Sequence, residues 1–433
     1  MDRRSFIKKT ALGAAGSLVA PYILPSGRLF AATGARKANH VVFCLFSGGV
    51  RNLESVLKAD GNLMPNMLSG NEAISTDIQS SLSPLPPNPL STPLQDEATL
   101  FKGFKYSLGP TGHFNGHITA ITGQSTGTDL SLREHPEFPT VFELYRKHSD
   151  PKRSAMNAWW VSHSNNLYPI LNYSRYPGYG PDFGANQISP RTLFAYDTAN
   201  EFSNSMTLSP DHQGVADDLR GFFNGNFNPN GVEAASVWNT PEEADQIQAF
   251  IKQMMTEYRS GLHNNPWGIQ GGMSGDMRNI FYAEKILQEF EPELLVVNLF
   301  DVDVAHSNFT KYCQALRNAD WAVGHLWNTI QNTPGLANDT ILIIAPEIGR
   351  NGTPNSIIDQ NGRYALDHTT NDPLSRDIFC MVAGPSGVVD QGQVLSQTYG
   401  SSIDIVPTIA DILGFKDGIP GLLPGASLTP AFL

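Results

Sequence analysis

Leu294-Leu295-Val296-Val297-Asn298-Leu299-Phe300 is followed at once by Asp301-Val302-Asp303-Val304-Ala305-His306. A nearly unbroken apolar, β-branched run of this length reads as a strand buried on both faces, the habit of parallel sheets. Three more runs have the same character: Val41 to Phe46 before Ser47, Ile341 to Ala345 just ahead of Glu347, and Ile378 to Ala383 before Gly384. Between them lie stretches of helical period. The clearest runs from Phe309 to Ile330, where Leu316, Trp321, Val323, Leu326 and Ile330 share one broad face. Strand and helix in alternation predict an α/β fold, a doubly wound, mostly parallel sheet with helices on both faces and loop or cap insertions. The four runs are expected to be neighbouring strands with Ser47, Asp301 and Glu347 at one edge, the edge where such sheets bind ligands.

The whole chain narrows the field further. Its 433 residues are 40% hydrophobic and 16% charged, the balance of an ordinary globular protein with a large core. The net charge of -12 argues against a nucleic-acid partner, which demands a basic face. Three cysteines make no disulfide framework, and Cys44 and Cys380 sit inside strand-like runs where a buried thiol is expected.

Asp2-Arg3-Arg4-Ser5-Phe6-Ile7-Lys8, a weakly apolar stretch from Thr10 to Leu24, and small residues at Ala31, Ala32 and Ala35 follow the order of a twin-arginine export signal. Gly13, Gly16, Ser17, Pro21 and Pro25 dilute the apolar stretch below what a permanent membrane span needs. Residues 1–35 are therefore assigned to the signal and 36–433 to one domain, with the twin-arginine translocase as an export partner and a periplasmic or secreted destination. Within that domain Ser80 to Pro93 reads as a Ser/Pro-rich surface loop. The stretch from about 165 to 235, dense in Asn, Gly, Pro and aromatics, reads as an ordered insertion or cap. Thr240, Pro241 and Glu242-Glu243 mark the start of a helix.

Three polar stretches can carry chemistry. Asp301, Asp303 and His306 follow a buried strand, and two carboxylates with an imidazole there can reach one cation, although an Asp in that place can equally cap a helix. Glu347-Ile348-Gly349-Arg350 also follows a strand and is trailed by Asp367-His368 in a polar loop, with Arg350 suited to clamp an oxyanion. Gly112-His113-Phe114-Asn115-Gly116-His117 places two histidines one turn apart, ahead of a helix end at Thr122-Gly123.

Thr340 to Gly349, preceded by a helix with Asp320, Val323, Gly324 and Leu326, resembles the segment of the sulfatase and alkaline-phosphatase superfamily in which a helix leads into a strand ending in a metal-binding Asp-His-Gly. Met64-Pro65-Asn66-Met67, Val382 to Pro385 and Ser402 to Ile409 are similar to other parts of that superfamily. The leader, Glu347-Ile348-Gly349-Arg350, Thr353-Pro354-Asn355, Gly362, Asp367 and His368 resemble more closely its twin-arginine-exported relatives, domain-of-unknown-function family 1501. The resemblance implies an alkaline-phosphatase-like fold and departs from the pattern at telling places. Ser47 or Gly48 stands where an Asp ends the first strand, and Glu347-Ile348 replaces an Asp-His pair, so Ile348 removes a ligand of the second metal. The nucleophile position falls on or beside His113, with Thr111 the nearest hydroxyl.

The resulting expectation is an exported, divergent hydrolase of phosphate or sulfate esters holding one divalent ion, zinc or manganese. Asp303, His306 and His368 would be ligands, Arg350 the anion stabiliser, and His113 the base or nucleophile. Asp301, Glu347, Asp367, His117, Thr111 and Ser47 are further candidates. A small anionic ester or glycan would be the substrate, and a non-catalytic protein binding an anionic glycan or cell-envelope component is the rival reading. Replacing Arg3 and Arg4 together by Lys should leave the precursor in the cytoplasm, because the two side chains are not interchangeable at paired recognition sites. Cell fractionation checks this, and unchanged export would refute the assignment.

Overall fold

The computed structural model describes residues 36–127, 135–149, 154–162, 171–189 and 237–433, together with the backbone of a two-stranded ribbon, Tyr22–Ile23 against Leu29–Phe30. The twin-arginine stretch and most of the 165–235 insertion lie outside the described residues. Among the described residues eight strands form one sheet: β1 (His40–Phe46), β2 (Ala98–Lys105), β3 (Ala158–Val161), β4 (Asn186–Ile188), β5 (Leu294–Leu299), β6 (Thr340–Pro346), β7 (Asp377–Ala383) and β8 (Val394–Ser401). Their spatial order is β8-β2-β7-β6-β1-β5-β3-β4. The fold is α/β, with a mixed, mostly parallel sheet.

The four apolar runs of the sequence are indeed adjacent, as β7, β6, β1 and β5. Their side chains alternate between two cores. Val42, Cys44 and Phe46 of β1 face one cluster, while Val41, Phe43 and Leu45 face the other. The first cluster is covered by α3 (Pro241–Arg259), α4 (Gly275–Phe290) and α5 (Phe309–Asn332). The second is covered by α1 (His113–Thr122), α2 (Val141–His148) and α6 (Ile405–Ile412). Thr240 caps α3 in a reciprocal capping box with Glu243. Cys44, Cys313 and Cys380 are buried and unpaired. No helix among the described residues is long and apolar enough to cross a membrane.

The expectation of a parallel strand at Ile378 to Ala383 is corrected. β7 runs antiparallel to both β6 and β2. Hydrophobicity reports burial on two faces, not direction. A parallel return needs a crossover to the far edge, usually through a helix, whereas residues 347–372 between β6 and β7 form no helix and lead into a single 3₁₀ turn, Pro373–Arg376. The connection leaves and re-enters the sheet at the same edge. It therefore keeps Glu347, Arg350, Asp367 and His368 beside the carboxyl ends of β1 and β5.

Ile344 lies at the centre of β6 and is wholly buried. Ile344→Ala should cost about 2–5 kcal/mol through lost burial and the cavity left behind. Denaturant unfolding measures it, and a loss below about 1 kcal/mol would contradict the packing described.

Candidate functional site

The segment after β5 is a 3₁₀ helix, Asp301–His306, rather than open loop. Its first acid turns away from the rest: Asp301 Oδ2 accepts the Asp276 N–H at 2.9 Å at the start of α4, and the buried Asp276 carboxylate accepts the N–H groups of Phe300 (2.5 Å) and Asp301 (3.2 Å). Asp303 and His306, on the same turn, face the sheet edge. α1 begins at His113 and brings His113 and His117 over the end of β6.

His113, Asp303, His306 and His368 each offer one atom to a group whose members lie within 4.8 Å of one another. Asp303 Oδ1 is 3.0 Å from His113 Nε2 and 3.3 Å from His306 Nε2. His368 Nε2 is 2.9 Å from His113 Nε2. All four are partly exposed, so the cluster opens to solvent.

Each ring is anchored from behind. His113 Nδ1 lies 2.6 Å from Glu347 Oε1, His306 Nδ1 2.7 Å from Asp367 Oδ1, and His368 Nδ1 2.6 Å from the Thr111 carbonyl oxygen. Since these partners are acceptors, each Nδ1 carries a proton, and each Nε2 faces the common centre, with a lone pair wherever the ring is neutral. Two such lone pairs 2.9 Å apart repel unless a proton or a cation lies between them. Four donors about 2.0–2.1 Å from a tetrahedral ion are separated by about 3.3 Å; the three contacts above are close to this, and the whole group spans up to 4.8 Å. The residues therefore fit a divalent cation with N₃O ligation, and the outer partners are those that orient metal-binding imidazoles.

The remaining candidates support this centre without joining it. Glu347 is fully buried, accepts the Gly48 N–H at 2.6 Å as well as His113, and contacts His117 Nδ1 through its other oxygen. His117 Nδ1 also lies 2.8 Å from the His113 carbonyl oxygen. Ser47 donates to Asn298 Oδ1 and lies 3.1 Å from the Leu299 carbonyl oxygen. Thr111 Oγ1 donates to the His368 carbonyl at 3.2 Å. Arg350 is buried, with Nη2 on Asp303 Oδ1 at 2.7 Å and on the Gly48 carbonyl, Nη1 on the Leu366 carbonyl at 2.8 Å and Nε on that of Gly49 at 3.3 Å.

Charge follows the same geometry. Burial disfavours the His113 cation, but Glu347 and Asp303 on its two nitrogens outweigh it and raise its pKa to about 9. Burial, with the charges of His113, Arg350 and His306 nearby, pushes His368 down to about 3. Burial would raise Asp303 and Glu347, yet hydrogen bonds from His113 and His306 hold Asp303 far below the carboxylate range, and the charges of His117 and His113 hold Glu347 at about 2.

Three supporting residues escaped the sequence reading. Asn298 receives the Ser47 hydroxyl and lies 3.4 Å from His117 Nε2. Its signal was present, an amide inside an apolar strand. Asp276 carried no signal beyond an acid in a first helical turn. Asn355, quoted only as part of a motif, donates to Asp367 Oδ1 at 3.1 Å and to the His306 carbonyl at 3.1 Å.

No protein-family model matches the chain, and no curated protein matches it in sequence. Solved structures similar to it include wild-type alkaline phosphatase PafA, at 10% identity over 92% of this chain and 99% of that one, with a TM-score of 0.48. The phosphonate monoester hydrolase of Silicibacter pomeroyi is similar at 15% identity over 90% and 76% of the two chains, with a TM-score of 0.42. The lipoteichoic acid synthase LtaP of Listeria monocytogenes is similar at 11% identity over 93% and 78%, with a TM-score of 0.41. The fold assignment itself rests on the strand order and register above.

A proton held between His113 and Asp303 competes with any cation for the same atoms. Below the His113 pKa of about 9, ion binding must expel that proton, whereas His368 is already neutral. Zinc affinity should thus rise about tenfold per pH unit between about 7 and 9 and then level off. Competition titrations against a chelator across that range test it; a flat profile would contradict the sign.

Proposed function

We propose that this chain is a single-cation hydrolase of phosphate or sulfate esters, with His113 Nε2, His306 Nε2, His368 Nε2 and Asp303 Oδ1 as the ion's protein ligands. The observation that carries it is the convergence of three back-anchored imidazoles and one carboxylate on one solvent-open point. The ester class rests on the sequence resemblance to the sulfatase and alkaline-phosphatase superfamily, and export rests on the leader read from Arg3-Arg4. The mixed nitrogen and oxygen donors suit zinc or manganese.

A bound divalent ion supplies Lewis acidity, polarising an ester oxygen and acidifying water. The protein's own groups set the rest. Glu347, Asp367 and the Thr111 carbonyl hold the rings in the tautomer that leaves Nε2 basic. Arg350 serves as a positioning residue for Asp303, since its bonded N–H groups are on Asp303 and backbone carbonyls. Ser47 and Thr111 direct their hydroxyls to protein acceptors, so with His113 on the ion the nucleophile in this reading is water. Asp301, in this reading, caps α4.

The test is elemental analysis of purified protein, then turnover of p-nitrophenyl phosphate, bis-p-nitrophenyl phosphate and p-nitrophenyl sulfate with zinc or manganese. One equivalent of ion and turnover on at least one ester are expected, with both lost in His306→Ala and His368→Ala. His113→Ala separates two roles: loss of the ion makes His113 a ligand, whereas a retained ion with turnover lost makes it a base or nucleophile. An ion-loaded protein inert on all three esters would favour the glycan-binding alternative.

A further inference from the structure

His368 is carried by irregular chain, since residues 365–369 belong to no helix or strand. Such a stretch has no ladder of its own, so its peptide groups must be fixed by neighbouring elements. A ligand or catalytic side chain needs its position held to about 0.5 Å. Asn351, just after Arg350, supplies that hold on both sides of the histidine. Its backbone N–H donates to the Asp367 carbonyl at 2.8 Å, the peptide that precedes His368. Its side-chain Oδ1 accepts the Thr369 N–H at 2.7 Å, the peptide that follows. The Thr369 hydroxyl at 3.1 Å and the Ser375 hydroxyl at 2.6 Å donate to the same oxygen. Three donors on one atom settle the amide orientation, because a flipped amide would set Nδ2 against the Thr369 N–H.

The bracket is itself braced. Asn351 is buried, and its carbonyl accepts Arg51 Nη1 at 2.9 Å. Arg51 is paired with Glu54 at 2.5 Å, and its backbone N–H donates to the Tyr312 hydroxyl on α5 at 3.1 Å. Asn351 is thus tied to the loop after β1 and, through it, to the helix layer. From the other side Thr111 holds the His368 ring, with its carbonyl oxygen 2.6 Å from Nδ1 and its hydroxyl donating to the His368 carbonyl at 3.2 Å. Thr111 fixes the far nitrogen of the ring, but Nε2 can be aimed at the centre only if the backbone that carries the ring is fixed as well.

We infer that Asn351 is a positioning residue for His368: its N–H and its amide oxygen clamp the two peptides that flank the histidine and so hold His368 Nε2 at the cluster, 2.9 Å from that of His113. Asn351 touches neither the cluster's centre nor the ring, and acts through the backbone alone. The inference rests on the reading of His368 as a ligand of the ion, but what it asserts, the aim of one imidazole, can be measured with no ion present.

The experiment compares wild type with Asn351→Ala, Asn351→Asp and Ser375→Ala in the full chain by two readouts. One is the ¹⁵N NMR of the His368 ring in ion-free protein at neutral pH, its signals identified by their loss in His368→Ala. The other is zinc affinity by chelator competition. Wild type is expected to show His368 protonated on Nδ1 alone. Asn351→Ala should mix the two ring tautomers and weaken zinc by about tenfold or more, the effect typical of outer partners of metal-binding histidines. Asn351→Asp keeps an accepting oxygen and should restore both readouts. Ser375→Ala takes one donor from that oxygen yet leaves both flanking peptides clamped, so both readouts should match wild type. Asn351→Ser, whose shorter hydroxyl falls short of the Thr369 N–H, carries the same expectation as the alanine variant if that variant does not fold. Unchanged ring signals and zinc affinity in Asn351→Ala would overturn the inference and leave the proposed hydrolase standing. Equal losses in Ser375→Ala would overturn it too, as general loosening. A wild type that takes up no zinc would sink the proposed hydrolase, while mixed tautomers in Asn351→Ala alone would still uphold the bracket.

Discussion

A carboxylate without access to water must be surrounded by donors, because an isolated buried charge costs far more than a protein's net stability. Glu347 is that carboxylate, and its partners come from two elements besides its own: the Gly48 N–H at the end of β1, and the His113 and His117 rings on α1. Satisfying it fixes how α1 lies across the sheet edge. Gly116 lets the helix approach, since a Cβ there would stand 3.0 Å from Glu347 Cβ and from Ile348 Cγ2. Gly48, with φ of +102°, does the same for Asp303, whose backbone nitrogen would be 2.7 Å from an added Cβ. The cluster inherits its geometry from this knot.

A second buried charge balances the first on the other side of the centre. Arg350 lies among the carbonyls of Gly48, Gly49 and Leu366, where a planar guanidinium can meet several acceptors at once and a lysine could not. Its bond to Asp303 adds to the hydrogen bonds from His113 and His306 that keep that carboxylate ionised. The site is thus built in two shells. Four side chains face the centre, and Glu347, Arg350, Asp367 and the Thr111 carbonyl hold them there.

The fold was legible in unequal parts. The four apolar runs, the capped start of α3 at Thr240 and the end of α1 at Gly123 were readable, because burial, capping and the left-handed C-cap are local demands on residue type. The reversal of β7 was not, because strand direction depends on the path of the connection, which hydrophobicity does not record. In the site, Glu347 in place of an Asp could be seen as a departure from the superfamily pattern. That it would turn two histidines toward itself could not be seen, since the second half of the pair lies some 230 residues upstream on a different element.

What the sequence by itself determined is the class of the fold and the short stretches at strand ends that carry carboxylates and imidazoles, because periodicity and residue chemistry are written along the chain. What only the tertiary structure decided is which of them meet. Asp301 and Asp303 are two residues apart, yet one accepts the N–H of Asp276 at the start of α4 and the other faces three histidines from α1, from its own turn and from the β6–β7 connection. The physical reason is that a 3₁₀ turn separates alternate side chains by a large rotation, and the packing of the sheet edge then assigns one to a cap and the other to the cluster.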